Sequence, residues 1–468
     1  MEQAKVSGFK KLFGDKKFYA MVIAIAIPIM IQQGITNFVS LLDNIMVGRI
    51  GTEQMSGVSI ANQILYVFNV SLFGAVSGAS IFGAQFFGQG NTKGVRDAFR
   101  FKLLLCLSLA GATFLVVFFF KENLINYFLH ESEGGGDLAL TLAAGIKYID
   151  IMLFGLLPTA MVQAYSSTLR ETGHASVPMR AGVVAVILSF VLNLILINGL
   201  FGLPAMGVAG AGLSTVISKF LEAFLMMSWT HRHKDINPFI VDAWKTLIIP
   251  PALMKNIVVK GCPLLLNEFL WSLGMTTLSQ LYSLRGLDTV AAVNITSTLA
   301  NLFNVANNAL GSSIAIILGN VLGANELEKA KDYSGKLITF AVMTSFVFGT
   351  LLASVSGVFP LLYKTTSEVR SLATKLIIVY AASLPLQDFA HAAYYVLRSG
   401  GKTFITMLFD SCYVWTVRVS LVYVLAHFTA VGPVGLYAAA MFIEAVKCTV
   451  GFILVRKGVW VHNITAYQ

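Results

Sequence analysis

The chain has 468 residues, of which 56% are hydrophobic and only 12% charged, with a formal net charge of +10. A soluble domain carries about 25% charged residues, so lipid must solvate much of this surface. The positive charge does not imply nucleic acid, because the Lys and Arg sit in short segments between apolar runs. The four cysteines, Cys106, Cys262, Cys412 and Cys448, have neither metal nor redox spacing.

Residues 1–17 read as a basic amphipathic segment on the cytoplasmic face. A first lobe, 18–230, holds apolar spans at 18–47, 54–87, 99–120, 140–169, 176–201 and 206–230. An acidic, glycine-rich loop, 121–137, lies on the outside. A basic linker, 231–254, carries His231, His233 and Asp235, which read as cytosolic surface rather than a metal site. The second lobe, 255–456, holds spans at 255–283, 289–321, 334–362, 371–397, 403–428 and 434–455, and 457–468 is a tail. The predicted fold is all-α: an integral membrane protein of twelve transmembrane helices in two repeated six-helix lobes. One set of loops holds only Arg49, Lys121, Arg285, Lys364, Arg370 and Lys375. The excess of Lys and Arg on the other side places both termini in the cytoplasm, with the chain in the plasma (inner) membrane.

Shifting the chain by 235 residues puts Pro28 on Pro263, Gln85 on Asn320, Gly88 on Gly323 and Asp97 on Asp332. After the third span the lag falls to 228, where Arg170 meets Arg398 and Gly173 meets Gly401. Two like-oriented repeats of this kind place a substrate path between them.

Polar side chains inside a span must face protein or water. In span 1, Gln33, Asn37, Ser40 and Asp43 share a helix face, as do Ser59, Asn62, Tyr66 and Asn69 in span 2. Span 7 carries Glu268, Ser272 and Thr276 beside Trp271, and span 8 carries Asn294, Ser297, Asn301, Asn304 and Asn308. One such residue is ordinary interhelical glue. Four matched stripes predict a wet central cleft lined by spans 1, 2, 7 and 8. Lys147–Asp150, Lys219–Glu222 and Glu444–Lys447 read as self-neutralising pairs three residues apart, which leaves Asp43, Glu268 and Asp388 as free acids and Arg418 as a lone cation. A desolvated carboxylate can hold a proton and release it when wetted or when a cation binds, which is the chemistry of antiport. Pro28 predicts a mid-span kink that can straighten. No nucleophile, phosphate loop or metal motif points to an enzyme or a cofactor.

Pro28, Asp43-Asn-Ile-Met-Val-Gly-Arg, Gly83-Ala-Gln-Phe-Phe-Gly-Gln-Gly-Asn91, Leu169-Arg-Glu-Thr-Gly-His and the glycine-rich run 202–212 together resemble the multidrug and toxic compound extrusion family, over essentially the whole chain. The resemblance implies two lobes around a V-shaped cleft and a monomeric exporter of small organic cations, coupled to inward protons or sodium. It assigns cation coupling to Asp43 and Asn193, with Ser189 where the family often has Asn, and to Glu268 and Asp388 in the second half. Pro28 would gate. The alternative is a flippase for lipid-linked saccharide precursors, which needs basic groups in the cleft. Protons rank above sodium because Asp43 can carry a proton without further ligands.

Overall fold

The computed structural model describes residues 12–48, 50–129 and 137–466, and the side chains of 39–45 also lie outside that description. Asp43 and Ser40 are therefore located only as backbone positions in the first helix. Twelve helices among the described residues are long and apolar enough to cross a membrane, and no strand occurs among them. They are α1 Lys16–Gly48, α2 Thr52–Gly88, α3 Thr92–Phe128, α4 Leu138–Glu171, α5 Ser176–Asn198, α6 Val208–Arg232, α7 Pro251–Ser283, α8 Leu287–Gly323, α9 Leu327–Val355, α10 Ser367–Ser399, α11 Thr403–Phe428 and α12 Pro433–Arg456. This is a multi-pass membrane protein.

The repeat in the sequence reappears in the helices. Lys16 and Pro251, Thr52 and Leu287, and Thr92 and Leu327 open paired helices 235 residues apart, and α1 and α7 are each 33 residues long, α2 and α8 each 37. Local chemistry sets several ends. Asn91 caps α3 by accepting from Gly94 N at 2.9 Å, and Asp137 caps α4 by accepting from Leu140 N at 3.0 Å. The cap at Asn91 starts α3 earlier than the predicted 99–120, so Lys93 and Arg96 are helical rather than loop. The ninth span ends at Val355, short of the predicted 362, and a separate 3₁₀ turn follows at Phe359–Leu362.

The chain divides into two compact units. Unit 1 comprises the chain up to Met30, Ala84–Gly90 and everything from Val258 onward, and unit 2 comprises Ile31–Gly83 and Asn91–Ile257. Three of the four boundaries fall inside α1, α2 and α7, and the fourth, between Gly90 and Asn91, falls in the turn that joins α2 to α3.

In unit 1, α10 is the central helix, packed against α8, α9 and α12. Phe18 and Val22 of α1 are buried in a core with Ile314 and Leu318 of α8, Leu337 of α9, Leu397 of α10 and Trp460. The tail is part of this core. Trp460 is fully buried, Ile464 N donates to Gln85 Oε1 at 2.8 Å, and Gln85 Nε2 donates to Ser399 O at 3.0 Å. The end of α2 and the end of α8 cross here with reciprocal geometry. A Cβ on Gly88 would run into the carbonyl of Asn320, and a Cβ on Gly323 would run into the carbonyl of Gln85. Gln85 and Asn320, like Gly88 and Gly323, are equivalent positions of the two repeats. Association inside lipid depends on such close backbone approach.

In unit 2, α3 packs on α4, and α6 on α4 and α5. The 231–254 segment is anchored to α3, where Arg100 donates to Ala243 O at 3.0 Å and to Asp242 O at 2.7 Å.

Candidate functional site

Unit 2 holds the site residues predicted in the first half from Gln33 onward. On α5, Ser189 and Asn193 lie one turn apart and both are buried. Asn193 Oδ1 accepts from Ser214 Oγ of α6. Asn62 Oδ1 accepts from Tyr148 OH at 3.3 Å, while Tyr66 and Asn69 are exposed, as is Asn37, and Gln33 is half-buried. Arg170 Nη2 donates to Gln32 Oε1, the neighbour of Gln33, at 2.5 Å. The most deeply buried charges of this unit escaped the sequence reading. Lys102 Nζ donates to both oxygens of Glu171 at 2.6 Å, with Lys102 fully buried. A Cβ on Gly83 would collide with Glu171, so the glycine that opens the Gly83-Ala-Gln motif makes room for this ion pair. In the turn just beyond Glu171, burial holds the His174 imidazole below its usual range.

One predicted pairing is corrected. Asp150 pairs with Lys121 of α3 at 2.5 Å, not with Lys147, which is exposed. The Glu444–Lys447 pair forms as predicted, at 3.6 Å, and Lys447 has a second, shorter ion pair at 2.7 Å with Asp410 of α11. In both places a neighbouring helix supplies an oppositely charged group within 2.7 Å. The Lys219–Glu222 pair forms as predicted, at 2.8 Å.

In unit 1, Pro28 and Pro263 stand inside α1 and α7, and Pro28 is buried. Ser272, Thr276, Asn294 and Asn301 are exposed, as is Trp271, and Asn304 Oδ1 accepts from Tyr380 OH at 3.1 Å. Asp388 is buried and accepts from Asn307 Nδ2 at 2.6 Å. Asp388, Asn307 and His391 line a small cavity with Gly311 and Ala341, among helices α8, α9 and α10. Asn307 Oδ1 and His391 Nε2 are buried without a hydrogen-bond partner. Unsatisfied buried oxygen and nitrogen beside a carboxylate make a place that can accept a proton or a small cation.

Three residues before Asp388, Pro385 stands inside α10, and a Cβ on Gly349 of α9 would press on the carbonyl of Ala381 that this proline leaves free. Glu268 is half-buried and interacts with Tyr394 and Arg398 of α10 and with Asp410 of α11. Glu268 and Asp388 therefore belong to one polar region threaded through α10 by His391, Tyr394 and Arg398. Arg418 is buried, with Nη2 at 3.5 Å from Met441 Sδ.

The MatE family model matches residues 28–195 and 263–424, one segment in each repeat. This chain belongs to the MatE family. It is 23% identical over 448 residues to a probable multidrug resistance protein NorM of Thermotoga maritima, covering 94% of this chain and 92% of that one. It is 25% identical over 419 residues to a probable NorM of Oceanobacillus iheyensis, covering 89% and 91%. Its fold is similar to a crystal structure of MATE in the straight conformation, with a TM-score of 0.83 at 20% identity over 97% of this chain and 98% of that one. It is also similar to the Vibrio cholerae MATE transporter VcmN, with a TM-score of 0.82 at 16% identity over 96% and 98%.

In this MatE chain the sequence reading missed Asn307, Asp410, Asn267 and Pro385. Asn307 was within reach, since it lies three residues after Asn304 on a helix already read as polar. Asp410 was also within reach, being a carboxylate inside the predicted span 403–428, but its partners were not. It stands in a π-helical stretch of α11, Leu408–Cys412, and its partners come from α7 and α12.

Proposed function

We propose that this MatE protein is a multidrug efflux transporter of the plasma membrane, with both termini cytoplasmic, exporting lipophilic organic cations in exchange for protons or sodium by alternating access. The names of its NorM relatives support the multidrug part. The observation that carries the coupling part is Asp388, buried on the central helix of unit 1 beside a cavity with unpartnered Asn307 Oδ1 and His391 Nε2.

A carboxylate in that setting is stabilised by any small cation that arrives and is left costly when it departs. Glu268 extends the same region. Asp43, Asn193 and Ser189 are proposed as its counterpart in the other half, and Pro28 as the bending point of α1. Protons rank above sodium, because Asp388 or Asp43 can carry a proton without further ligands, whereas a sodium ion wants several oxygens held together.

The test is reconstitution in liposomes with a fluorescent organic cation. An inward proton gradient without sodium should drive export, and its collapse should stop it. Export that requires sodium and ignores the proton gradient would make sodium the coupling ion. Equal or better transport of an anionic dye would contradict the cation reading and favour the flippase.

A further inference from the structure

One buried cation of unit 1 has two claimants. Lys447 of α12 donates to Asp410 Oδ1 at 2.7 Å and lies 3.6 Å from Glu444 Oε1, one turn back on its own helix. Lys447 and Glu444 are both buried, and Glu444 Oε2 has no hydrogen-bond partner. An unsatisfied carboxylate oxygen next to a buried ammonium is a second seat for that ammonium, since leaving either unpaired is costly. The rings of Phe409 and Tyr413 flank Nζ at 5.3 and 5.6 Å, so the cation also lies over aromatic faces.

Asp410 is also wired to α7. Its Oδ2 accepts from Asn267 Nδ2 at 3.0 Å, and Asn267 Oδ1 accepts from Ser411 Oγ at 2.7 Å. Asn267 adjoins Glu268 and lies four residues after Pro263, inside a helix that proline can bend. Asp410 and Ser411 sit in the π-helical turn of α11, a geometry that recurs at functional sites. The other titratable and charged groups around the trio are His391, Tyr394, Tyr395 and Arg398 of α10, Glu268 of α7, Tyr413 and Arg418 of α11 and Cys448 of α12.

We propose that Lys447 is a tethered competitor for the coupling cation: it occupies Asp410 when the site is empty and passes to Glu444 when a proton or sodium ion takes Asp410. This rests on the ion-coupled reading above. The charges balance. Asp410, Glu444 and Lys447 sum to one negative charge when empty, so one monovalent cation neutralises the trio while the ammonium keeps all its protons. The exchange removes the ion pair that ties α12 to α11 beside Asn267, which is how ion arrival would reach the bend of α7.

The experiment reads the melting temperature of the purified full-length protein in detergent, first against pH at fixed sodium and then against sodium at fixed pH. Without the competitor, an external cation reaches Asp410 unopposed. Lys447→Gln should therefore move the midpoint of that dependence to a proton or sodium concentration about tenfold lower. The double variant Lys447→Gln with Asp410→Asn removes both charges together and should fold without the shift. Lys447→Arg, which grips a carboxylate in two bonds, should move the midpoint the other way. It also serves if Lys447→Gln does not fold. An unchanged midpoint in the single variants, or an equal shift in the double variant, overturns the proposal. The readout needs no transport, so failure of the wild type to export dye in either gradient would remove the exporter reading and leave this test intact.

Discussion

At the scale of single residues, two kinds of buried charge differ in whether an opposite charge answers them. Lys102 and Glu171 are each other's counter-ion, so Lys102→Met should leave an uncompensated buried carboxylate and cost about 3–5 kcal/mol. A lowered melting temperature, restored when Glu171→Gln is added, checks this. Asp388 is the opposite case. Asp388→Asn keeps the shape and a hydrogen bond to Asn307, so folded yield in detergent should match the wild type while dye export in liposomes is lost. Full export by that variant would remove Asp388 from the mechanism. The contrast also shows what one sequence can reveal about charges. A lone carboxylate in an apolar run was legible as Asp388 and Glu268. Which cation answers which acid was not, because residues three apart on one helix compete with neighbours contributed by another helix, and helix neighbours are not written in local spacing. Asp150 with Lys121 and Lys447 with Asp410 are both of this kind.

At the scale of helices, the repeat made the register legible. The openings of α1–α3 and α7–α9 fall at the spacing that the aligned prolines and glycines had indicated. What the repeat could not show is irregularity inside a helix, such as the π-helical turns of α11, since these arise from packing rather than hydropathy. Pro28→Ala restores a backbone hydrogen bond and stiffens α1. Turnover of dye export should fall several-fold while dye affinity, measured by fluorescence quenching, stays unchanged. Unchanged turnover would exclude bending of α1 from the cycle. At the α2–α8 crossing, Gly88→Ala and Gly323→Ala should each lower the melting temperature. Together they should cost less than the two separate losses combined, because the second methyl meets helices that the first has already parted.

At the scale of the whole molecule, the distribution of Lys and Arg predicts sidedness. In a chain whose four cysteines are changed to Ala, Asp235→Cys should react with a membrane-impermeant thiol reagent only after cells are opened, and Lys364→Cys in intact cells. The reverse pattern would invert the topology. The Gly88–Gly323 crossing carries a further consequence. Each glycine rests on the carbonyl three residues before its copy, and the contact is returned, which is the geometry of a twofold homodimer. In a homodimer of single repeats, every change at that glycine would be met twice, once on each subunit. In this one chain each glycine answers only for itself, so either helix can change in sequence while the two ends stay in contact.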